Sequence, residues 1–303
     1  MKIDRRGLLR LTLAAGGAVL ASRPAGARAA TGDPLSAGRW GMLVDTTLCV
    51  GCRHCEWACK RQHRLPSEPL ARFADASVFE RLRRPDAVSY TVVNRFTDPD
   101  NPGAPVYVKV QCMHCDQAAC ASACLVGALR KHENGPVLYD GSKCMGCRYC
   151  MVACPFQIPA YEYGNAFTPV VRKCTFCFEQ VARDGDFPAC CRICPQEVMT
   201  FGRRSDLLAA ARERIKRDPG RYLPRIYGEH EVGGTDWLYL AGAPFEKLGL
   251  PSLGEQPVAR LTESIQRGVF KFFLPPLALF ALLGVLMWNS RDRPSRGSKP
   301  EKG

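Results

Sequence analysis

The sequence lacks the marks of a self-sufficient enzyme. It shows no nucleophile–base constellation and no segment that reads as a substrate pocket. It has only one long apolar run, residues 272–288, so the 46% hydrophobic content describes a globular chain and excludes a polytopic membrane protein. Nor is it the composition of a disordered tail. Acidic residues are the minority charge and the net charge is +13. Lys and Arg are nevertheless spread along the chain and partly concentrated at its two ends, so nucleic acid is not an expected partner. No cysteine precedes Cys49 or follows Cys194, yet the chain has 17. The odd count excludes complete intramolecular disulfide pairing.

The two ends read as addresses. Residues 1–30 carry Arg5-Arg6, a weakly apolar run to about Ala21, and the small-residue site Ala27-Arg28-Ala29. This is the order of a secretory signal, and the adjacent arginines resemble a twin-arginine signal. A short basic amphipathic helix is disfavoured by Gly16, Gly17, Pro24 and Gly26. Loss of this segment removes six basic residues and one acidic one, taking the charge from +13 to +8. Residues 269–289 are expected to form a transmembrane helix, since a span needs roughly 20 apolar residues. Lys271 and Trp288 suit the two interfaces. Residues 290–303 form a basic tail whose charge marks the cytoplasmic side. The body would then lie on the periplasmic side of a bacterial inner membrane, held by a single C-terminal anchor.

Between these ends the chain divides by its cysteines. Residues 31–105 hold the first group and a polar insertion, residues 106–160 the second and third groups, and residues 161–205 the fourth. Residues 206–268 comprise a helix and a loop-rich wrapping region. Residues 31–40 read as a linker. Strands are expected over residues 88–96, 106–110 and 137–140. A helix is expected over residues 206–217, with Leu207, Leu208, Ala211 and Ile215 on one face. Residues 219–257 read as loops around the outside of the body.

Sixteen cysteines parse into four quartets. They are Cys49, Cys52, Cys55 and Cys59; Cys112, Cys115, Cys120 and Cys124; Cys144, Cys147, Cys150 and Cys154; and Cys174, Cys177, Cys190 and Cys194. The first and third have the C-x2-C-x2-C-x3-C run of bacterial ferredoxins. The second and fourth stretch the middle gap but keep the flanking spacings. The offset to Cys194 selects Cys190 and leaves Cys191 spare. A four-iron cube needs one soft thiolate per iron, so three closely spaced cysteines can wrap three corners while the fourth arrives from elsewhere. Pro155 and Pro195 follow the last cysteines of groups three and four as that pattern requires, whereas Lys60 and Leu125 stand there in groups one and two. A disulfide scaffold would give irregular spacing and an even count. Zinc ribbons use two pairs per metal rather than triplets with a trailing fourth. His54 and His114 are read as surface groups or groups beside the clusters. Trp57, Tyr149, Phe156 and Phe176 are read as packing that keeps water off them. The reading is an α+β chain of duplicated ferredoxin-like modules with loop insertions.

Several segments resemble the iron–sulfur electron-transfer subunits of bacterial respiratory complexes. They are Gly41-Met42-Leu43, Cys49-Val50-Gly51-Cys52, Gln111-Cys112-Met113-His114-Cys115, the run from Cys147 to Pro155, Lys173-Cys174-Thr175-Phe176-Cys177, Tyr227-Gly228-Glu229 and Gly233-Gly234-Thr235. Two branches fit: the HybA-type subunit of hydrogenase-2-type [NiFe] hydrogenases, and the beta subunit of membrane-bound formate dehydrogenases and their molybdopterin relatives. The signal and the single span favour the first. The resemblance implies four [4Fe–4S] clusters. Their ligands would be Cys49, Cys52, Cys55 with Cys194; Cys174, Cys177, Cys190 with Cys59; Cys112, Cys115, Cys120 with Cys154; and Cys144, Cys147, Cys150 with Cys124. It also implies a large catalytic subunit, with its small subunit where one exists, and an integral quinone-reactive membrane subunit as partners. The chain itself would be non-catalytic. The alternatives are the electron carrier of a molybdopterin oxidoreductase and a non-redox binding module stabilised by zinc or disulfides.

Overall fold

Trp40–Asp45 is a short run of mostly apolar residues, and five of its six residues are buried. A strand apolar on both faces must lie inside a sheet with both faces covered, and this one does. It forms β1. The other strands follow in chain order: β2 (Thr91–Thr97), β3 (Pro105–Gln111), β4 (Leu129–Lys131), β5 (Val137–Tyr139), β6 (Ala160–Tyr161), β7 (Val171–Arg172), β8 (Met199–Arg203) and β9 (Trp237–Leu240). β1 is the middle of a three-stranded sheet in the order β8-β1-β9. It pairs antiparallel with β8, Met42 opposite Phe201, and parallel with β9, Met42 opposite Trp237. The remaining strands form three hairpins, β2-β3, β4-β5 and β6-β7. The computed structural model describes residues 38–98, 103–164, 170–270 and 274–291.

The period-two alternation of side chains sorts the two faces of the sheet. Leu43, Leu238 and Leu240 point to one side and pack with Leu207, Leu208 and Ala211 of the helix Arg204–Arg217 and with Ile226. Met42, Val44, Trp237 and Tyr239 point to the other, into a core that contains Cys55, Cys112, Cys154 and Cys190. The sheet thus separates a purely apolar layer from the layer that carries sulfur.

The expected strands and the expected helix are present, with the helix two residues longer at its start. Two expectations are corrected. β1 begins at Trp40, inside the segment read as a linker, and Arg39 before it is buried. Residues 219–257 do not wrap the outside. They supply β9, all four residues of which are buried, together with the buried Tyr227 and Phe245. Gly- and Pro-rich flanks hid a strand whose partner lies almost 200 residues away, beyond the reach of any local pattern.

The C-terminal apolar run appears as the helix Leu274–Arg291. No helix among the described residues is long and apolar enough to cross a membrane. At 1.5 Å per residue its 18 residues reach about 27 Å, and Asn289 and Arg291 occupy its last turn. Its described side chains are nevertheless largely exposed, including Phe280, Met287 and Trp288. The expected signal, residues 1–30, and the tail from residue 292 onward lie outside the described residues.

Candidate functional site

The first and third cysteine groups are built the same way. Asp45 closes β1, and its Oδ1 accepts hydrogen bonds from the Thr47 amide at 3.1 Å and the Thr47 hydroxyl at 2.6 Å. This caps the turn Thr46–Leu48 and delivers Cys49. Asp140 does the same with Ser142, at 3.1 and 2.6 Å, capping Gly141–Lys143 before Cys144. Gly51 and Gly146 then take φ of +72° and +74°, and Arg53 and Arg148 take φ of about +60°. At Gly51 a Cβ would stand 2.5 Å from the Tyr107 ring, so only glycine fits. Each left-handed arginine launches a helix, His54–Gln62 or Tyr149–Ala153, that carries the next cysteine, Cys55 or Cys150.

The second and fourth groups share another plan. Each starts just after a strand, Cys112 after β3 and Cys174 close after β7. Each has a left-handed residue inside the C-x2-C turn, His114 or Phe176. Each sets its third cysteine on a single helical turn, Ala119–Ser122 or Ala189–Arg192. The longer gap of the fourth group is filled by the helix Phe178–Asp184, stopped by Gly185 at φ +64°.

The fold draws the sixteen thiols into four sets, each of three thiols from one group and the last from another. Cys49, Cys52, Cys55 and Cys194 line one cavity. Cys59 lies within the electrostatic reach of Cys174, Cys177 and Cys190. Cys115 lies within that of Cys112, Cys120 and Cys154, and Cys150 within that of Cys124, Cys144 and Cys147. The sets also stand in sequence. Cys55 feels Cys190, Cys174 feels Cys112, and Cys120 feels Cys150. The set with Cys147 lies at the surface: Cys147 is exposed, and exposed Leu125, Met145 and Val152 flank it.

Burial dominates the chemistry of these thiols. With neighbouring thiols adding to it, burial holds Cys49 up at about 11, and Cys120, Cys174 and Cys177 at about 12. Such groups stay protonated at neutral pH unless a cation compensates them. All seventeen cysteines are free thiols, so no disulfide scaffold exists here. Among the described residues no three His, Cys, Asp or Glu side chains converge on a single ion. A zinc site with bonds of about 2.3 Å needs that convergence, whereas a cube holds its four sulfurs farther apart. Four soft donors around a mostly apolar cavity fit a cluster. Backbone amides of Ala128 and Phe176 donate to Cys124 Sγ and Cys174 Sγ at 3.2 and 3.4 Å, as thiolates require.

Of the other residues singled out in the sequence, Phe156 and Phe176 are buried as expected, and Trp57 and His54 are half-buried. His114 takes the second of its two expected places: it is fully buried inside the second C-x2-C turn, and its Nδ1 accepts from the Val137 amide at 2.9 Å. One expectation is corrected. Tyr149 is 54% exposed, so it shields nothing. Cys191 Sγ donates to the Met199 carbonyl at 3.2 Å.

Sequence reasoning missed the buried and half-buried cations. Lys131 Nζ donates to the carbonyls of His114 and Cys115 at 2.9 and 3.0 Å and pairs with Asp236 at 2.8 Å. Asp236 also pairs with Arg39, which reaches Asp116 at 2.8 Å. Lys173 Nζ reaches the Cys174 carbonyl at 3.1 Å. Burial alone would push Lys109 down, yet Cys190, Cys55 and Cys174 carry its pKa upward. The signal in the sequence was Lys109-Val110-Gln111, two polar residues on one face of a strand leading into Cys112.

Residues 104–204 match the model of the 4Fe-4S dicluster domain. A protein of Nitratidesulfovibrio vulgaris is 50% identical over 82% of this chain and 67% of its own length. The hydrogenase-2 operon protein HybA of Escherichia coli is 36% identical over 86% of this chain and 87% of its own. The iron-sulfur subunit of the nitrate-inducible formate dehydrogenase of Escherichia coli is 31% identical over 76% and 77%. With these matches and a ferredoxin-type arrangement of thiols on mixed helix and strand, the chain belongs to the family of iron–sulfur electron-transfer subunits that includes HybA and the formate dehydrogenase iron-sulfur subunits.

Proposed function

We propose that the chain holds four [4Fe–4S] clusters in a row and relays electrons between a [NiFe] hydrogenase catalytic subunit and a quinone-reactive integral membrane subunit, on the periplasmic side of the membrane. The observation that carries this reading is the succession of four thiol sets, each within electrostatic reach of the next. Bound clusters supply one-electron redox chemistry. The chain's own part is to hold each with four thiolates, to exclude water through residues such as Phe156 and Phe176, and to place fixed charge nearby. The exposed Cys147 and its apolar surroundings supply a face for exchange with a partner. The twin arginines of residues 1–30 fit export of a body already folded around its clusters. The apolar helix Leu274–Arg291 fits attachment to the membrane or its integral subunit. The higher identity to HybA than to the formate dehydrogenase subunit supports a hydrogenase partner over a molybdopterin one.

One anaerobic preparation tests these points together. The expected product is brown, carries about sixteen irons per chain by four irons per quartet, is cleaved by protease added to spheroplasts, and co-purifies with a hydrogenase large subunit. Zinc in place of iron overturns the electron carrier. A co-purifying molybdopterin subunit replaces the partner, and protection from protease overturns the location.

A further inference from the structure

Lys109 lies on β3 facing the sulfur-lined core and is buried. Its Nζ donates to Gln111 Oε1 at 2.9 Å and stands 4.4 Å from the centroid of the Trp237 ring. Gln111 is itself fixed: its Nε2 donates to the Tyr239 hydroxyl at 2.6 Å, and that hydroxyl donates to the Lys109 carbonyl at 2.8 Å. Among the described residues Lys109 makes no ion pair with a carboxylate. An ammonium held by a neutral amide and a ring is costly to bury unless negative charge stands close by. The groups able to provide that charge are the thiols. Lys109 lines the cavity of Cys49, Cys52, Cys55 and Cys194, and its field reaches Cys59, Cys174 and Cys177 of the next set. The third set has cations of its own: Lys131 acts on Cys115 and Lys173 on Cys120.

We propose that Lys109 is the shared counter-charge of the first two quartets and makes one-electron reduction of both bound clusters more favourable than their sulfur ligands alone would. This rests on the reading that the quartets hold clusters. Reduction adds one negative charge to a cluster, and a fixed cation in a poorly screened interior stabilises the more negative state more. Lys109 touches no reacting atom, so its role is electrostatic and reads out as a potential.

The test is a redox titration of the anaerobically purified full chain followed by electron paramagnetic resonance, with iron counted in every sample. Lys109→Met removes the charge. Gln111→Glu keeps it but sets a carboxylate beside Nζ. In both, two of the four one-electron transitions should become at least tenfold less favourable, 59 mV for a one-electron couple, while the other two stay within twofold. Lys109→Arg should keep all four. Full iron with no transition moved, or with all four moved alike, overturns the counter-charge. Where Lys109→Met does not load, Gln111→Glu decides by the same criterion. A wild-type chain without iron overturns the cluster reading itself.

Discussion

Cys190 and Cys191 are neighbours in the chain, yet the fold gives them different work. Cys190 lies among Cys59, Cys174 and Cys177, whereas Cys191 bonds to a backbone carbonyl. Cys191→Ser should retain the full iron content, since a hydroxyl can make the same bond. Cys190→Ser should lose between one iron and the whole cluster, about four irons. Iron analysis with paramagnetic resonance decides; equal loss in both variants would show the assignment to be wrong. The C-x3-C offset already distinguished these two residues. The local mark of Lys109, its place two residues before Gln111 on one face of a strand, does not give its direction, because a lysine in a half-buried strand usually points outward. Its inward direction follows from the pairing of β3 with β2 and from Trp237 and Tyr239, which arrive from the far end of the chain.

Among the elements, the helix Arg204–Arg217 and the cluster motifs are independent contributors to stability. The helix covers the face of the sheet opposite the cysteines, and Leu207 is buried there against Leu43 and Leu238. Leu207→Ala should therefore destabilise the protein by about 2–5 kcal/mol and leave iron content unchanged in the folded fraction. Chemical denaturation together with iron analysis checks this; loss of iron at native conditions would mean that the two layers are coupled. The helix was legible from its apolar spacing, and the β2-β3 hairpin from its two strand-like runs around a turn-rich segment. β9 was not, because a four-residue apolar stretch flanked by turns has no periodicity long enough to set it apart from a loop.

For the whole molecule, the last cysteine is Cys194 and the sheet is complete at Leu240. A chain ending after Gly268 should keep the iron-loaded body and the artificial-acceptor activity of its complex. Its association with washed membranes and its quinone-linked turnover should fall at least tenfold. Full quinone-linked turnover by the shortened chain would assign attachment to the body instead. The exposed apolar residues of the helix Leu274–Arg291 motivate this test, although that helix alone is not long and apolar enough to cross a membrane.

The sequence by itself determined the chemistry. Ligand type, triplet spacing and the trailing fourth cysteine are local, because one loop must wrap three corners of one cube, and a local constraint leaves a local mark. Tertiary structure decided what depends on residues far apart: the strand that closes the sheet and the direction of Lys109. The first follows from the β8-β1-β9 pairing, which joins residues 40–45, 199–203 and 237–240, and the second from the β2-β3 pairing and the arrival of Trp237 and Tyr239. Such contacts are chosen by the burial of whole faces at once, and no window of neighbouring residues records them.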